Sequence, residues 1–164
     1  MFVVGFGLLA IIGAAAATGL LVPAERTYTN SIEINAPPEK VWSVLLDKGR
    51  MAEWHPYIKK IKVLDDHHWQ ELSGDQDELP WEYAVVNDSR PSSVELSYGL
   101  KDQMSCKWVG QAIATANGTT LNTVNTERVT SSLTRLFMFL MVDRDKYAKG
   151  FNNALKARVE SLGK

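Results

Sequence analysis

The feature that most constrains the fold is a long apolar stripe near the carboxyl end of the chain. Over residues 132–162, apolar side chains recur at intervals close to the 3.6-residue period of an α-helix. The stripe consists of Leu133, Leu136, Phe137, Leu140, Met141, Ala148, Phe151, Leu155, Val159 and Leu162. The charged residues Asp143, Arg144, Asp145 and Lys149 are predicted to lie on the opposite face, and we expect Gly150 to bend the helix. A helix with one apolar face must bury it, so the rest of the chain has to supply a matching surface.

The preceding residues are predicted to form that surface as a set of strands. Alternation of apolar and polar residues predicts strands over residues 27–35, 57–64, 69–72, 80–86, 94–100, 104–116 and 119–130. Asn117-Gly118, between the last two, is the strongest hairpin signal in the chain. Pro38 is suited to begin a short helix after the first strand, and residues 50–54 form a second short helix or turn. This order predicts an α+β fold, with a curved antiparallel sheet packed on a long C-terminal helix.

The first 22 residues contain no charged side chain. As a helix they would extend roughly 33 Å, enough to cross a bilayer core of about 30 Å. We therefore expect a transmembrane helix, or an uncleaved signal, over residues 1–23 and one domain over residues 24–164. The alternative is a cleaved signal peptide with its cleavage site in the run of alanines at residues 14–17. Arg26 slightly favours a cytoplasmic domain but leaves the side of the membrane undetermined.

Charge and motif content exclude several classes of function. The 18 Lys and Arg residues against 19 Asp and Glu residues offer no basic excess of the kind that nucleic-acid binding requires. The single cysteine, Cys106, cannot form an intramolecular disulfide or a cysteine zinc site, and we expect it to be a small buried apolar residue. His67 and His68 lie in an acidic stretch that includes Glu71, which we interpret as a solvated loop because no metal-binding spacing is present. We expect no cofactor, no metal and no nucleic-acid partner.

Three segments resemble one known superfamily. Residues 31–42, SIEINAPPEKVW, resemble the opening of START-like proteins, also called SRPBCC or the polyketide cyclase/dehydrase and lipid-transport group. The Trp-His-Pro-Tyr sequence at residues 54–57 is similar to the family's Trp-x-Pro-Trp/Tyr segment, and residues 155–160 resemble its closing helix. The resemblance spans residues 27–162. It implies a helix-grip (START/Bet v 1-like) fold with an elongated cavity that, in members of the family, holds lipids, sterols, quinones or polyketides.

In such a fold the inward faces would line a pocket for an apolar ligand. The candidate lining residues are Trp54, Tyr57, Trp81, Tyr83, Leu96, Tyr98, Met104, Trp108, Phe137, Met141, Phe151 and Leu155. The alternative is that these side chains only fill the core. The run at residues 136–142 is apolar all round, which predicts a cavity lid, a membrane-docking surface or burial beneath loops.

We therefore expect a membrane-anchored binding protein for a hydrophobic small molecule or lipid, of undetermined oligomeric state. One alternative is a polyketide cyclase/aromatase-like enzyme on the same cavity. Its candidate acid–base groups are His55, Tyr83, Glu127 and Arg128, although the strand parity at the last two is open. The other alternative is a co-chaperone-like interaction module, which predicts a filled core and an exposed apolar patch.

Overall fold

The computed structural model describes residues 17–72 and 80–162 of the chain. Within them, seven strands form an antiparallel sheet in the order β1-β7-β6-β5-β4-β3-β2. The strands are β1 (Glu25–Ile34), β2 (Lys60–Val63), β3 (His68–Leu72), β4 (Trp81–Ser89), β5 (Ser93–Leu100), β6 (Met104–Thr115) and β7 (Gly118–Val129). The predicted α+β architecture is confirmed, and the first strand pairs with the last.

The helices are α1 (Pro38–Leu45), a short 3-10 helix (Met51–Glu53), α2 (Ser132–Met141) and α3 (Arg144–Ser161). Pro38 occupies the first turn of α1, where its missing N–H has no cost. Helix α3 lies against β1 and α1, and its Leu155 and Val159 side chains are completely buried there. Trp42 of α1 is buried in the same core, and its Nε1 donates to the Pro91 carbonyl at 2.7 Å.

The hairpin predicted at Asn117-Gly118 joins β6 to β7. Gly118 has a φ of +145°, and a Cβ there would lie 2.8 Å from the backbone nitrogen of Ala36. Only glycine fits such a backbone so close to another chain segment. The neighbouring Thr119 hydroxyl donates to the Ala36 carbonyl at 2.6 Å, so the hairpin is fixed to the link between β1 and α1.

The single C-terminal helix predicted over residues 132–162 is wrong, because the structure divides it into α2 and α3. Val142 has an extended backbone, and the Asp143 carboxylate accepts a hydrogen bond from the Lys146 amide at 2.9 Å. An aspartate that caps a new helix stabilises a break in the old one. Gly150 lies inside α3, so the bend expected there stays a prediction.

The corner between the two helices is fastened to the sheet by Arg144. Its guanidinium donates to Glu127 Oε1 of β7 at 2.5 Å and to the Met138 and Val142 carbonyls at 2.8 and 3.2 Å. Both charged side chains are largely buried, and Tyr28 donates a further hydrogen bond to Glu127 at 3.2 Å. A buried ion pair with these additional hydrogen bonds holds one geometry and tolerates the loss of neither partner.

Helix α2 contacts β7 but does not bury its apolar residues against the sheet as the stripe predicted. None of its residues is buried, and Leu140 and Met141 are 66% and 71% exposed. Because the backbone changes direction at Val142, most apolar side chains of α2 do not face the cavity, although Met138 does. Burial of residues 136–142 beneath loops, one of the three expectations, is therefore wrong.

The predicted anchor lies largely outside the described residues, which begin at residue 17. Residues 17–20 are helical, and Gly19 is buried against Ser132 at the start of α2. In residues 17–72 and 80–162, no helix has both the length and the apolar character needed to cross a bilayer.

Substitution of Gly110 tests the packing of α1 on the sheet. A Cβ at Gly110 would lie 2.9 Å from Cη2 of Trp42 and would overlap the Trp108 ring, whose Cζ3 would be at 2.8 Å and Cη2 closer still; the two rings meet edge to face. We expect Gly110→Ala to lower the free energy of unfolding by about 1–3 kcal/mol because both rings must shift. Urea denaturation measures this. In the control Gly49→Ala, the nearest atom would be at 3.5 Å, so a comparable loss there would contradict the explanation.

Candidate ligand cavity

The concave face of the sheet and helix α3 enclose an elongated cavity with two lobes. The inner lobe has a volume of about 130 Å³ and the outer lobe about 290 Å³. The lobes adjoin, because they share the lining residues Asn30, Glu71, Tyr83, Tyr98, Asn125, Tyr147 and Ala148. A dry cavity of about 150 Å³ is enough to bind benzene in another protein, so the outer lobe alone is large enough for a ring and the two adjoining lobes offer more space.

A ladder of stacked aromatic rings crosses the sheet beside the inner lobe. Trp69 of β3 pairs with Tyr83 of β4, which in turn pairs with Tyr98 of β5. The Trp69 and Tyr83 ring centroids are 5.1 Å apart, and those of Tyr83 and Tyr98 are 4.8 Å apart with planes only 4° from parallel. Cross-strand register thus stacks these side chains on one another, which keeps the inner wall rigid.

Glu71 places a carboxyl group where the lobes meet. The residue is only 6% exposed, and Trp69 Nε1 donates to its Oε1 at 2.9 Å. The Tyr83 phenol is hydrogen-bonded to the same carboxyl. Burial raises the pKa of Glu71 to about 7, because a charged carboxylate loses its hydration in this apolar site.

Three phenols line the cavity together with this carboxyl. Burial, together with the negative charge of Glu71, raises the pKa of Tyr147 to about 12 and that of Tyr83 well above its usual range. Burial and the neighbouring Cys106 raise the pKa of Tyr98, whose hydroxyl donates to Asn125 Oδ1 at 2.9 Å. All three therefore stay neutral at physiological pH and can act as hydrogen-bonding groups.

His55 lines the inner lobe as a neutral imidazole. Its ring lies 5.0 Å from Phe151 and 5.7 Å from Trp54, and its Nδ1 accepts a hydrogen bond from the Tyr57 amide at 3.2 Å. Burial lowers the pKa of His55 to about 4, because the imidazolium would be desolvated. This histidine thus adds an aromatic surface, not a positive charge, near pH 7.

The outer lobe lies next to the corner between α2 and α3. Met138, Val142 and the ion pair of Arg144 with Glu127 contribute to its wall. Tyr57 stacks on Tyr147 across the lobe, with ring centroids 4.1 Å apart. Met138 of α2, with Val142 and Arg144 at the corner, therefore forms part of one end of the cavity.

Comparison with known proteins is consistent with this architecture. A family model described as polyketide cyclase / dehydrase and lipid transport matches residues 25–160. The chain belongs to this family. No curated protein matches the sequence.

Solved structures with the family's helix-grip fold resemble the chain over most of its length. A START superfamily protein from Mycobacterium smegmatis has 16% identity and a TM-score of 0.62, covering 83% of this chain and 98% of its own. The Zhui aromatase/cyclase from a Streptomyces species has 16% identity and a TM-score of 0.64, with 85% and 96% covered. Norcoclaurine synthase from Thalictrum flavum has 9% identity and a TM-score of 0.64, with 85% and 97% covered. At these identities the likeness shows the fold alone.

Most of the sequence-predicted lining residues of this family member lie at the cavity. Eight of the twelve contribute to its walls: Tyr57, Trp81, Tyr83, Leu96, Tyr98, Met104, Trp108 and Phe151. The other four lie elsewhere. Leu155 is buried in the core against the sheet, while Phe137 and Met141 point to solvent on α2. Trp54 packs on Phe151, and its Nε1 is buried without a hydrogen-bond partner among the described residues.

Sequence reasoning missed the polar groups of the cavity. Glu71 was assigned to a solvated loop with its acidic neighbours, and that interpretation is wrong because strand β3 points it inward with Trp69. The sequence left open which side chains of β7 point inward. Glu127 is buried and Arg128 is exposed, so Glu127 lies on the inner face. Cys106 is buried as expected, and burial raises the pKa of its thiol to about 12.

Titration of Glu71 should appear in the pH dependence of stability. The folded protein retains this proton between about pH 4.5 and 7, where the unfolded chain has released it. Protonated Glu71 therefore contributes to the free energy of unfolding below pH 4.5. This contribution, on the order of 3 kcal/mol, is lost as the pH rises to 7. The pH dependence due to His55 has the opposite sign, because the stability that its neutral form contributes is lost as the pH falls from 6.5 to 4.

The difference between wild type and Glu71→Gln isolates the carboxyl. We expect the free energy of unfolding of Glu71→Gln to increase relative to that of wild type as the pH rises from 4 to 8. Urea denaturation at a series of pH values measures this difference. Glu82→Gln, an exposed position on β4, is the matched control and should show no such trend. A difference that is constant over this range for Glu71→Gln would contradict the assigned titration.

Proposed function

We propose that the protein binds a hydrophobic small molecule or lipid in the two-lobed cavity. The observation that carries this proposal is a ring-sized, aromatic-walled space with a few hydrogen-bonding groups at its centre. A ligand that buries about 300 Å² of apolar surface would gain about 7 kcal/mol, before the costs of association are subtracted. The family description and the aromatase/cyclase among the structural neighbours support a ligand of this class.

A second candidate is an enzyme on the same cavity, related in chemistry to cyclases and aromatases. It requires an ionisable group buried against the ligand, and Glu71 with the Tyr83 hydroxyl meets that requirement. A carboxyl whose pKa is close to 7 is suited to both accept and return a proton. Binding needs only the cavity, whereas catalysis needs a second group that acts on the same substrate, so we place binding first.

The interaction-module alternative has less support. It predicts a filled core, whereas the concave face leaves two adjoining lobes open. Its other requirement, an exposed apolar patch, is met by α2. A membrane contact beside the cavity accounts for that patch as well as a protein partner does.

Blocking the cavity tests the binding proposal. Ala148 lines both lobes from α3, so we expect Ala148→Phe to fill their junction and weaken binding of the neutral probe N-phenyl-1-naphthylamine at least tenfold. Ala157→Phe, on an exposed face of the same helix, should bind like wild type. Fluorescence titration measures both, and native mass spectrometry with lipid extraction identifies any molecule that co-purifies. Equal binding by both variants, or no uptake by wild type, would contradict a ligand in this cavity.

We also propose that residues 1–22 hold the chain at a membrane and that α2 rests on the bilayer surface. Phe137, Leu140 and Met141 are 60%, 66% and 71% exposed and lie on one side of α2, so the helix presents an apolar edge. The uncharged N-terminal segment ends next to the start of α2, because Gly19 lies against Ser132. This arrangement would bring the outer lobe close to its lipid source.

A fluorophore on α2 tests the membrane contact. We expect Leu140→Cys, labelled with an environment-sensitive dye in the full chain, to shift to the blue when phosphatidylcholine vesicles are added. The same dye at Ala157→Cys on α3 is the control and should not shift. Native Cys106 is buried and has a raised pKa, so it should not compete for the label. Identical responses at both positions would exclude α2 as the membrane-facing surface.

A further inference from the structure

The centre of the cavity contains acidic groups without a matching positive charge. Glu71 is accompanied by the phenols of Tyr83, Tyr98 and Tyr147, and each of these groups can lose a proton but not gain a positive charge. The negative charge of Glu71 acts on both Tyr83 and Tyr147. A carboxylate in such a place is destabilised unless a cation approaches it.

The basic side chains that line the cavity do not supply that cation. Arg144 is committed to Glu127 and to two carbonyls at the corner of α2 and α3. His55 is held neutral among Trp54, Tyr57 and Phe151. Among the residues that line the two lobes within residues 17–72 and 80–162, these are the two with a basic group.

The Glu71 carboxyl also has capacity for another hydrogen bond. An ionised carboxylate can accept about four hydrogen bonds. Trp69 Nε1 and the Tyr83 hydroxyl account for two of its partners. The remaining acceptor positions lie in a residue that lines both lobes, within reach of a bound molecule.

We propose that the ligand is a hydrophobic amine, whose ammonium group binds Glu71 while its apolar part occupies the lobes. This inference rests on the proposed ligand-binding function and specifies the class of ligand. The ammonium would donate to the free acceptor positions of Glu71 and supply the missing positive charge. Stacked aromatic walls exclude water from the contact, which strengthens the attraction between the two charges.

Two probes of similar shape separate this inference from simple apolar binding. The first, 2-(2-naphthyl)ethylamine, is a primary ammonium at pH 8, and the second, 2-propylnaphthalene, is its neutral counterpart. Both compete against bound N-phenyl-1-naphthylamine on the full-length protein. We expect the ammonium probe to displace it at a concentration at least tenfold lower than the neutral probe.

Two variants test whether Glu71 causes the preference for the ammonium probe. We expect Glu71→Gln to lose the tenfold gap because its amide has the shape of the carboxylate but no charge, with both probes compared against the variant's own affinity for N-phenyl-1-naphthylamine. Glu82→Gln removes one negative charge from the exposed side of neighbouring strand β4 and should keep the gap. The comparison of the two probes on wild type stands on its own if Glu71→Gln fails to fold.

The outcomes are distinct. Binding of both neutral compounds with equal or weaker binding of the ammonium probe would overturn the amine inference and leave the proposed function standing. A gap that survives in Glu71→Gln would overturn the assignment to this carboxyl. Failure of all three compounds to bind wild type would overturn the proposed ligand-binding function itself.

Discussion

The buried ion pair between Arg144 and Glu127 determines how the C-terminal part of the chain meets the sheet. Arg144 is the first residue of α3 and also bonds the carbonyls that end α2, so one side chain fixes the angle between the two helices. Helix α3 continues along the sheet and buries Leu155 and Val159, whereas α2 contacts β7 but buries none of its residues. A straight helix through this point would have brought the apolar residues of α2 toward the concave face. The corner instead leaves room for the outer lobe and exposes α2.

The inner lobe depends on a second constraint, which is the cross-strand register of β3, β4 and β5. Because Trp69, Tyr83 and Tyr98 are direct neighbours across the strands, their rings pack against each other. Large side chains that pack against one another within a sheet do not need to pack against α3. The space between the ladder and α3 therefore remains open although the face is rich in aromatic residues, and the wall that results is rigid.

Local patterns in the sequence predicted the elements well and their assembly in part. Alternation located the strands, and Asn117-Gly118 located the β6–β7 hairpin. The helix break was missed because apolar periodicity runs through Val142, and Asp143 was assigned to a polar face when it is a cap. Glu71 was missed because the acidic composition of its surroundings outweighed the two-residue spacing from Trp69, which already put both on one face. Composition describes a neighbourhood, whereas strand parity decides where one side chain points.

The position of Glu71 is difficult to explain by stability alone. A carboxyl whose pKa is raised to about 7 by burial makes the fold less stable at neutral pH, and a glutamine would avoid that loss while keeping the size of the side chain. Residues that cost stability in an otherwise consistent core tend to mark functional sites. Here the residue lies at the junction of two lobes, hydrogen-bonded on one side by Trp69 and Tyr83 and lining the cavity on the other. The apolar walls favour a hydrophobic molecule, and the Glu71 carboxyl between them favours a molecule that also carries a polar group.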